Sequence, residues 1–284
     1  MLQTINGFQV LRRIGESNTA EIFHVLRLVG RGRGTEGAAK VLRDEYADDR
    51  VERGYLENEH RICSQFEHPN VIRTYELQLS AKRPFLLMAY VAGYNLRHHL
   101  ERGRPNLADA IDWLAQAADG LGDCHEMGYI HRDVKPQNIV VGTDGVPVVI
   151  DFALATRLDG SFTKYLVRRM TERRRPGTWS YMSPEQIRNQ RLTALTDVYT
   201  LGVTLFEVTT GHMPYAAETS QSLMEQHLWG KIPSVRSLRP DLPIELDELI
   251  KAMMAKDPLD RPRGMGYVSG KLRGLVSACR KIAG

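Results

Sequence analysis

One segment limits what this chain can fold into more than any other. It reads His131-Arg132-Asp133-Val134-Lys135-Pro136-Gln137-Asn138, then an apolar run, a turn at Thr143-Asp144-Gly145, a second apolar run from Val146 to Ile150, and Asp151-Phe152-Ala153. An Asp-Gly pair between two β-branched runs predicts a hairpin. A hairpin brings its ends together, so Asn138 and Asp151 are expected side by side at its open end. Pro136 keeps the preceding loop from continuing as helix and leaves Asp133 just upstream. Two carboxylates, a carboxamide and a lysine then converge with no apolar partners to explain them. Oxygen donors of this kind suit a hard cation such as Mg²⁺, which keeps several waters and adds substrate phosphates.

Composition narrows the rest. The chain has 284 residues, 42% hydrophobic and 25% charged, values typical of a soluble protein with a sizeable core, in one large domain or two lobes. A net charge of +4 is too mild to argue for nucleic-acid binding by itself. Cys63, Cys124 and Cys279 are scattered and lack metal-ligand spacing, so they read as reduced, mostly buried thiols. Met1 to Ile14 lacks the basic start and apolar stretch of a signal peptide. No run reaches the eighteen or so apolar residues of a spanning helix. The expectation is a cytoplasmic protein with neither a membrane span nor a nucleic-acid partner.

In chain order, Phe8 to Leu26 reads as two strands around the turn Gly15-Glu16-Ser17-Asn18-Thr19-Ala20. Val29 to Gly37 reads as a solvated loop, followed by a strand Ala38–Leu42 with Lys40 in its interior. In isolation such a lysine more often points at solvent. Arg53 to Phe66 is periodic at helical spacing, with Tyr55, Leu56, Ile62, Cys63 and Phe66 on one face. Glu59 falls within that apolar face, whereas Glu52 and Glu57 lie towards its edge or away from it. An acid on an inward stripe needs a cation partner. Val71–Leu77 and Phe85–Tyr90 read as further strands. Gly93 marks a boundary, beyond which the pattern is mostly helical, beginning with Leu107–His125.

The ordered set of motifs resembles the protein kinase family. The resemblance covers nearly the whole chain and implies an α+β, bilobal fold. Residues 1–90 would form a small antiparallel-sheet lobe with one helix, and residues 91–284 a larger, mainly helical lobe. It implies ATP and Mg²⁺. Asp133 would orient a substrate hydroxyl and accept its proton, and Lys135 would neutralise the transferring phosphoryl group. Asn138 and Asp151 would hold the metal, and Lys40 would pair with phosphates and with Glu59. Gly15 and Ser17 belong to the loop over the phosphates; Ile22, Ala38 and Val140 would sandwich the purine. Met88 would guard the adenine pocket, and Ala89 and Val91 would offer backbone hydrogen bonds. Lys135 two places after Asp133 resembles the Ser/Thr class, and Tyr181-Met182-Ser183-Pro184-Glu185-Gln186 resembles bacterial members. Gln137, where kinases favouring arginine-rich substrates often carry glutamate, argues against a strongly basophilic enzyme.

Further expectations concern the C-terminal half. From Arg157 to Arg175 there are seven basic residues against Asp159 and Glu172. The segment reads either as a solvated loop or as a docking site for an acidic or phosphorylated partner. By resemblance, Arg132 would grip a phosphate on this segment, with Thr171 as the first acceptor and Thr163 and Ser161 behind it, as targets of autophosphorylation. Thr178 would bridge Asp133 and Lys135, and Glu185 would pair with Arg261. Asp197 would cap the central helix and brace the backbone at His131 and Arg132. The tail to Gly284 reads as packing helices. Three departures weaken the resemblance: Ser17 and Ala20 stand where the loop carries glycine, Ala153 replaces the glycine of D-F-G, and the internal stack Thr74, Cys63, Phe152, His131 is small. The reading is a Ser/Thr protein kinase acting on protein substrates; the alternative is a pseudokinase that binds nucleotide or a partner without transfer.

Overall fold

The computed structural model describes residues 4, 5, 7–28, 33–158 and 178–282. Thr171, Thr163, Ser161 and the basic residues from Lys164 to Arg175 lie outside the described residues, as does the side chain of Thr178. The chain forms two compact units. The first comprises Met1–Glu67, Val71–Ala92 and Asp151–Leu154, and the second His68–Asn70, Gly93–Ile150 and Ala155–Gly284.

The first unit is a six-stranded antiparallel sheet with one helix. Its strands are β1 (Thr4–Ile5), β2 (Phe8–Glu16), β3 (Ala20–Arg27), β4 (Glu36–Leu42), β5 (Thr74–Gln78) and β6 (Phe85–Met88), in the spatial order β1-β2-β3-β4-β6-β5. Side chains alternate between the faces of a strand. Ala39 and Val41 of β4 therefore join Phe8, Phe23, Val25, Phe85 and Leu87 in one apolar cluster. Lys40, between them, is directed to the other face.

Helix α1 (Arg50–Cys63) begins three residues earlier than periodicity suggests. The Asp49 carboxylate accepts the Val51 N–H at 2.8 Å and the Glu52 N–H at 3.3 Å, which fixes the start. Phe66, expected inside the helix, lies beyond its end and packs against Phe152 with ring centroids 5.9 Å apart. Val51, Leu56, Glu59 and Ile62 form the buried stripe, with Glu52 and Asn58 buried beside them; Tyr55 is only half-buried.

The second unit opens with β7 (Gly93–Asn95), α2 (Leu96–Glu101), α3 (Leu107–Glu126) and β8 (Tyr129–Ile130). The strands β9 (Ile139–Gly142) and β10 (Pro147–Val149) form the expected hairpin, in which Val140 faces Val148. Gly145 takes φ 81°, which the turn requires. β7 runs against β9 so closely that a side chain at Gly93 would put its Cβ 1.9 Å from the Val141 carbonyl oxygen. Glycine at position 93 is therefore a packing requirement. After β11 (Thr156–Arg157) come α4 (Pro184–Ile187), α5 (Ala194–Thr210), α6 (Ser220–Trp229), α7 (Ile244–Met253) and α8 (Met265–Arg280).

The cap of α5 corrects the sequence reading. Thr193 caps it, its hydroxyl accepting the Leu195 N–H, whereas Asp197 lies inside the first turn. Thr193→Ala should lower stability by about 1 kcal/mol in denaturant unfolding. A loss below a few tenths would mean the helix start is held by tertiary contacts instead.

Candidate active site

The first unit brings Lys40, Glu59 and Asp151 together. Lys40 Nζ donates to Glu59 Oε2 at 2.7 Å and to Asp151 Oδ1 at 2.8 Å. Glu59 is 1% exposed. Burial alone would drive the Lys40 pKa down, but Asp151 and Glu59 outweigh it and raise it, so the lysine stays charged. Burial lifts Glu59 above the ordinary carboxylate range; Lys40 opposes that and Asp151 adds to it. One cation between two carboxylates is a poised arrangement, since losing it strands a buried acid.

Asp151 has φ 65°, in the left-handed region, a conformation that costs a non-glycine residue about 1–3 kcal/mol. Ala153, standing where the family carries glycine, would be strained only if its position needed positive φ. Ala153 instead sits in a short 3₁₀ turn, Phe152–Leu154, outside the positive-φ set. Its substitution for glycine carries no penalty here. Asn58, which the sequence reading missed, is 4% exposed and donates through Nδ2 to the Ala153 carbonyl at 3.0 Å. Asn58 is buried beside the apolar stripe of α1, and only its carbonyl partner distinguishes it from an ordinary polar helix residue.

In the same unit Gly15 pairs with Ile22 across β2 and β3, and Ile22 with Lys40 across β3 and β4. Ala38 pairs with Met88 on β6. The Ser17 hydroxyl donates to the Ala20 carbonyl at 3.2 Å and accepts the Ala20 N–H at 3.0 Å. That hydroxyl closes its own turn, which runs against a donor role towards phosphate. The Ala89 N–H donates to the Arg73 carbonyl at 2.9 Å, so a ligand contact from Ala89 falls to its carbonyl. Val91 is half-buried.

The second unit holds Asp133, Lys135 and Asn138. Asp133 is 7% exposed, and its Oδ2 accepts Lys135 Nζ at 2.7 Å and Asn138 Nδ2 at 3.1 Å. Asn138 Nδ2 also donates to the Asp133 carbonyl at 2.8 Å. With its amide nitrogen so committed, the Asn138 side chain has Oδ1 as its remaining acceptor. The Ile150 N–H donates to the Asn138 carbonyl at 2.9 Å, closing the hairpin one residue before Asp151. Val140 is half-exposed on β9.

Three groups far along the chain hold the loop that carries Asp133. Asp197 accepts the His131 N–H at 2.8 Å, the Arg132 N–H at 2.7 Å and His125 Nε2 at 2.8 Å. Gln186 Nε2 donates to the Arg132 carbonyl at 2.9 Å, and Thr204 Oγ1 to the Val134 carbonyl at 3.3 Å. Arg132 takes φ 72° within this brace. Gln186 and Thr204 were not anticipated, because neither residue type distinguishes a loop support from an ordinary helix residue.

Burial alone would raise the Asp197 pKa; the His125 hydrogen bond and charge, with His131 and the Arg132 N–H, lower it instead. A depressed carboxylate stabilises the fold above its unfolded-state pKa and loses that contribution as pH falls. Asp197→Asn should cost about 2–3 kcal/mol near neutrality and less in acid. A loss that does not change between pH 7 and pH 3 would contradict this brace.

Among the described residues no group of three or more His, Cys, Asp or Glu side chains is placed to hold a metal. An ion that brings its own waters and phosphates needs only one or two carboxylates. Asp151 in the first unit and Asn138 in the second each carry oxygen donors of the kind a hard cation takes.

The profile of the protein kinase domain matches residues 8–269. This chain belongs to the protein kinase family. It is 30% identical over 255 residues to the serine/threonine-protein kinase PrkC of Bacillus subtilis, covering 89% of this chain and 38% of that protein. It is 32% identical over 257 residues to the serine/threonine-protein kinase PknH of Mycobacterium tuberculosis, covering 86% and 40%. The chain thus spans about two-fifths of the length of these curated relatives. The crystal structure of the Mycobacterium tuberculosis PknI kinase domain aligns with TM-score 0.71 over 96% of this chain and 98% of that one, at 21% identity. That likeness bears on the fold alone, the bilobal kinase fold. No helix among the described residues is long and apolar enough to cross a membrane.

Proposed function

We propose that this kinase transfers the γ-phosphoryl group of ATP to Ser or Thr hydroxyls of protein substrates. The observation that supports it most is Lys40 held between Glu59 and Asp151. A structural ion pair would need one carboxylate; a phosphate-binding cation beside a metal ligand accounts for two. Lys40 binds phosphate oxygens, and Glu59 fixes its position. Asp133 orients the acceptor hydroxyl and takes its proton, while Lys135 offsets charge on the moving phosphoryl group. Asn138 and Asp151 supply oxygen ligands to Mg²⁺, which when bound neutralises phosphate charge. Catalysis is then positioning and electrostatic stabilisation. The adenine lies against Ile22, Ala38 and Val140 near Met88, with Val91 and the Ala89 carbonyl reaching its edge and the Gly15–Ser17 turn over the phosphates.

Residues 1–90 and 91–284 act as the two lobes in this reading. The basic segment from Arg157 to Arg175 receives an acidic or phosphorylated partner, and Thr171 is an autophosphorylation site. A cytoplasmic location fits the three cysteines, which are all buried.

Incubation with labelled ATP and Mg²⁺ tests the reading. Label on protein Ser or Thr, lowered roughly 10²–10⁴-fold by Asp133→Asn, is the expected outcome. Nucleotide binding without transfer would replace it with the pseudokinase. Phosphopeptide mapping that finds Thr171, Thr163 and Ser161 unmodified in active protein would remove the autophosphorylation proposal.

A further inference from the structure

Helices α7 and α8 of the second unit flank a groove of about 720 Å³ that no part of the proposed chemistry uses. Its α7 side is acidic and its α8 side basic, and the segment joining the two helices carries both signs. Glu245 and Glu248 of α7, with Asp260, line it as acids, and Arg263 and Lys271 line it as bases. All five are exposed, and none forms an ion pair with another described residue. Lys271 lies over the Tyr267 ring, 5.5 Å from its centroid, and Tyr267 is 54% exposed. The apolar floor includes Leu249 and Leu275.

The exposed face of α8 has a second peculiarity. Gly266, Gly270 and Gly274 recur every four residues, so they lie along one side of the helix. Glycine weakens a helix interior, and it normally answers a need for positive φ or for close approach. Neither need exists among the described residues: a Cβ at each of the three would meet none of them within 4 Å, and none has positive φ. The opposite face of α8, with Val268 and Leu272, is fully buried. The glycines are therefore a feature of the outer surface.

We infer that this groove is a self-complementary docking surface for a second copy of the chain, with the two α8 helices crossing at Gly270 and Gly274. A two-fold axis sets the acidic side of one copy against the basic side of the other. Charges left without partners in one copy are then paired between copies. Small residues at the crossing let the two backbones approach, and Tyr267 supplies the aromatic surface that interfaces favour. The charge pattern is what selects this occupant: a strongly acidic or strongly basic partner would meet like charge on one side of the groove.

Sedimentation velocity on the 284-residue chain, over a range of concentrations up to ~100 μM, tests this. A concentration-dependent dimer is expected. Gly270→Leu and Gly274→Leu, each with room for the added Cβ and each a better helix former, should weaken it at least tenfold without lowering the melting temperature. Lys271→Glu should weaken it as well, and adding Glu248→Lys should restore it. A chain that stays monomeric throughout overturns the inference. So does a dimer that survives both glycine substitutions, or charge reversals that fail to compensate.

Discussion

Lys40→Met should lower phosphoryl transfer on the order of 10²–10³-fold and, near pH 8, destabilise the first unit by about 3–5 kcal/mol. The two effects have separate origins. Activity falls because the cation that meets phosphate is gone. Stability falls because Glu59, 1% exposed, and Asp151 are left close together without the ammonium that both accept from. The stability loss should depend on pH with a definite sign. Without Lys40 to oppose burial and Asp151, the folded-state pKa of Glu59 is raised further, and the folded state binds a proton that the unfolded state has released. Stability of the variant then falls as pH rises from the ordinary carboxylate range towards that raised value. Acidifying from pH 8 to pH 5 should bring variant and wild type together. Urea unfolding at the two pH values measures it; a gap that stays constant or widens in acid would refute the account. The stability result holds whether or not the chain transfers phosphate, so it examines the geometry independently of the proposed activity.

Arg261→Ala should cost the second unit about 3–5 kcal/mol. The guanidinium meets Glu185 in two parallel bonds of 2.8 and 2.9 Å and donates to the Ala255 and Leu195 carbonyls, each at 2.8 Å. Both partners are nearly sealed from water, at 4% and 3% exposure. Removing the arginine leaves Glu185 with Thr196 as a side-chain donor at 2.9 Å. In the wild type, burial raises the Glu185 pKa but Arg261 lowers it further, so the pair stabilises above the unfolded carboxylate pKa and fades in acid. Replacing both residues, as Glu185→Leu with Arg261→Met, should recover most of the loss, because no uncompensated charge stays buried. A single variant within 1 kcal/mol of wild type in urea unfolding would mean that the pair contributes little.

The hairpin around Asp144-Gly145 was legible because its signal is local: a turn pair and two β-branched runs. Glu59 was legible for a related reason, since an acid on an apolar stripe is anomalous at helical spacing. The ends of α1 were not. Asp49 is one of several acids before that helix, and only its contact with the Val51 and Glu52 N–H groups distinguishes it. Asp197 was read correctly as a brace and wrongly as a cap, because an acid near a helix start suits either. The left-handed residue of the bend is Asp151, whereas Ala153, where an alanine replaces glycine, is outside the positive-φ set. Which residue of a tight bend turns left-handed depends on what its neighbours must reach, and composition does not contain that. Asn58, Gln186 and Thr204 escaped notice because each looks like an ordinary polar residue until its carbonyl partner is known.

By itself, the amino-acid sequence determined this protein's local chemistry: the order of the motifs, the hairpin and the inward acid on α1. Tertiary structure alone decided the pairings. Lys40 meets Asp151 across 111 residues, and Asp197 meets the Arg132 N–H across 65. Backbone periodicity extends over a few turns, whereas these contacts arise when separate elements pack and a buried charge must find its opposite.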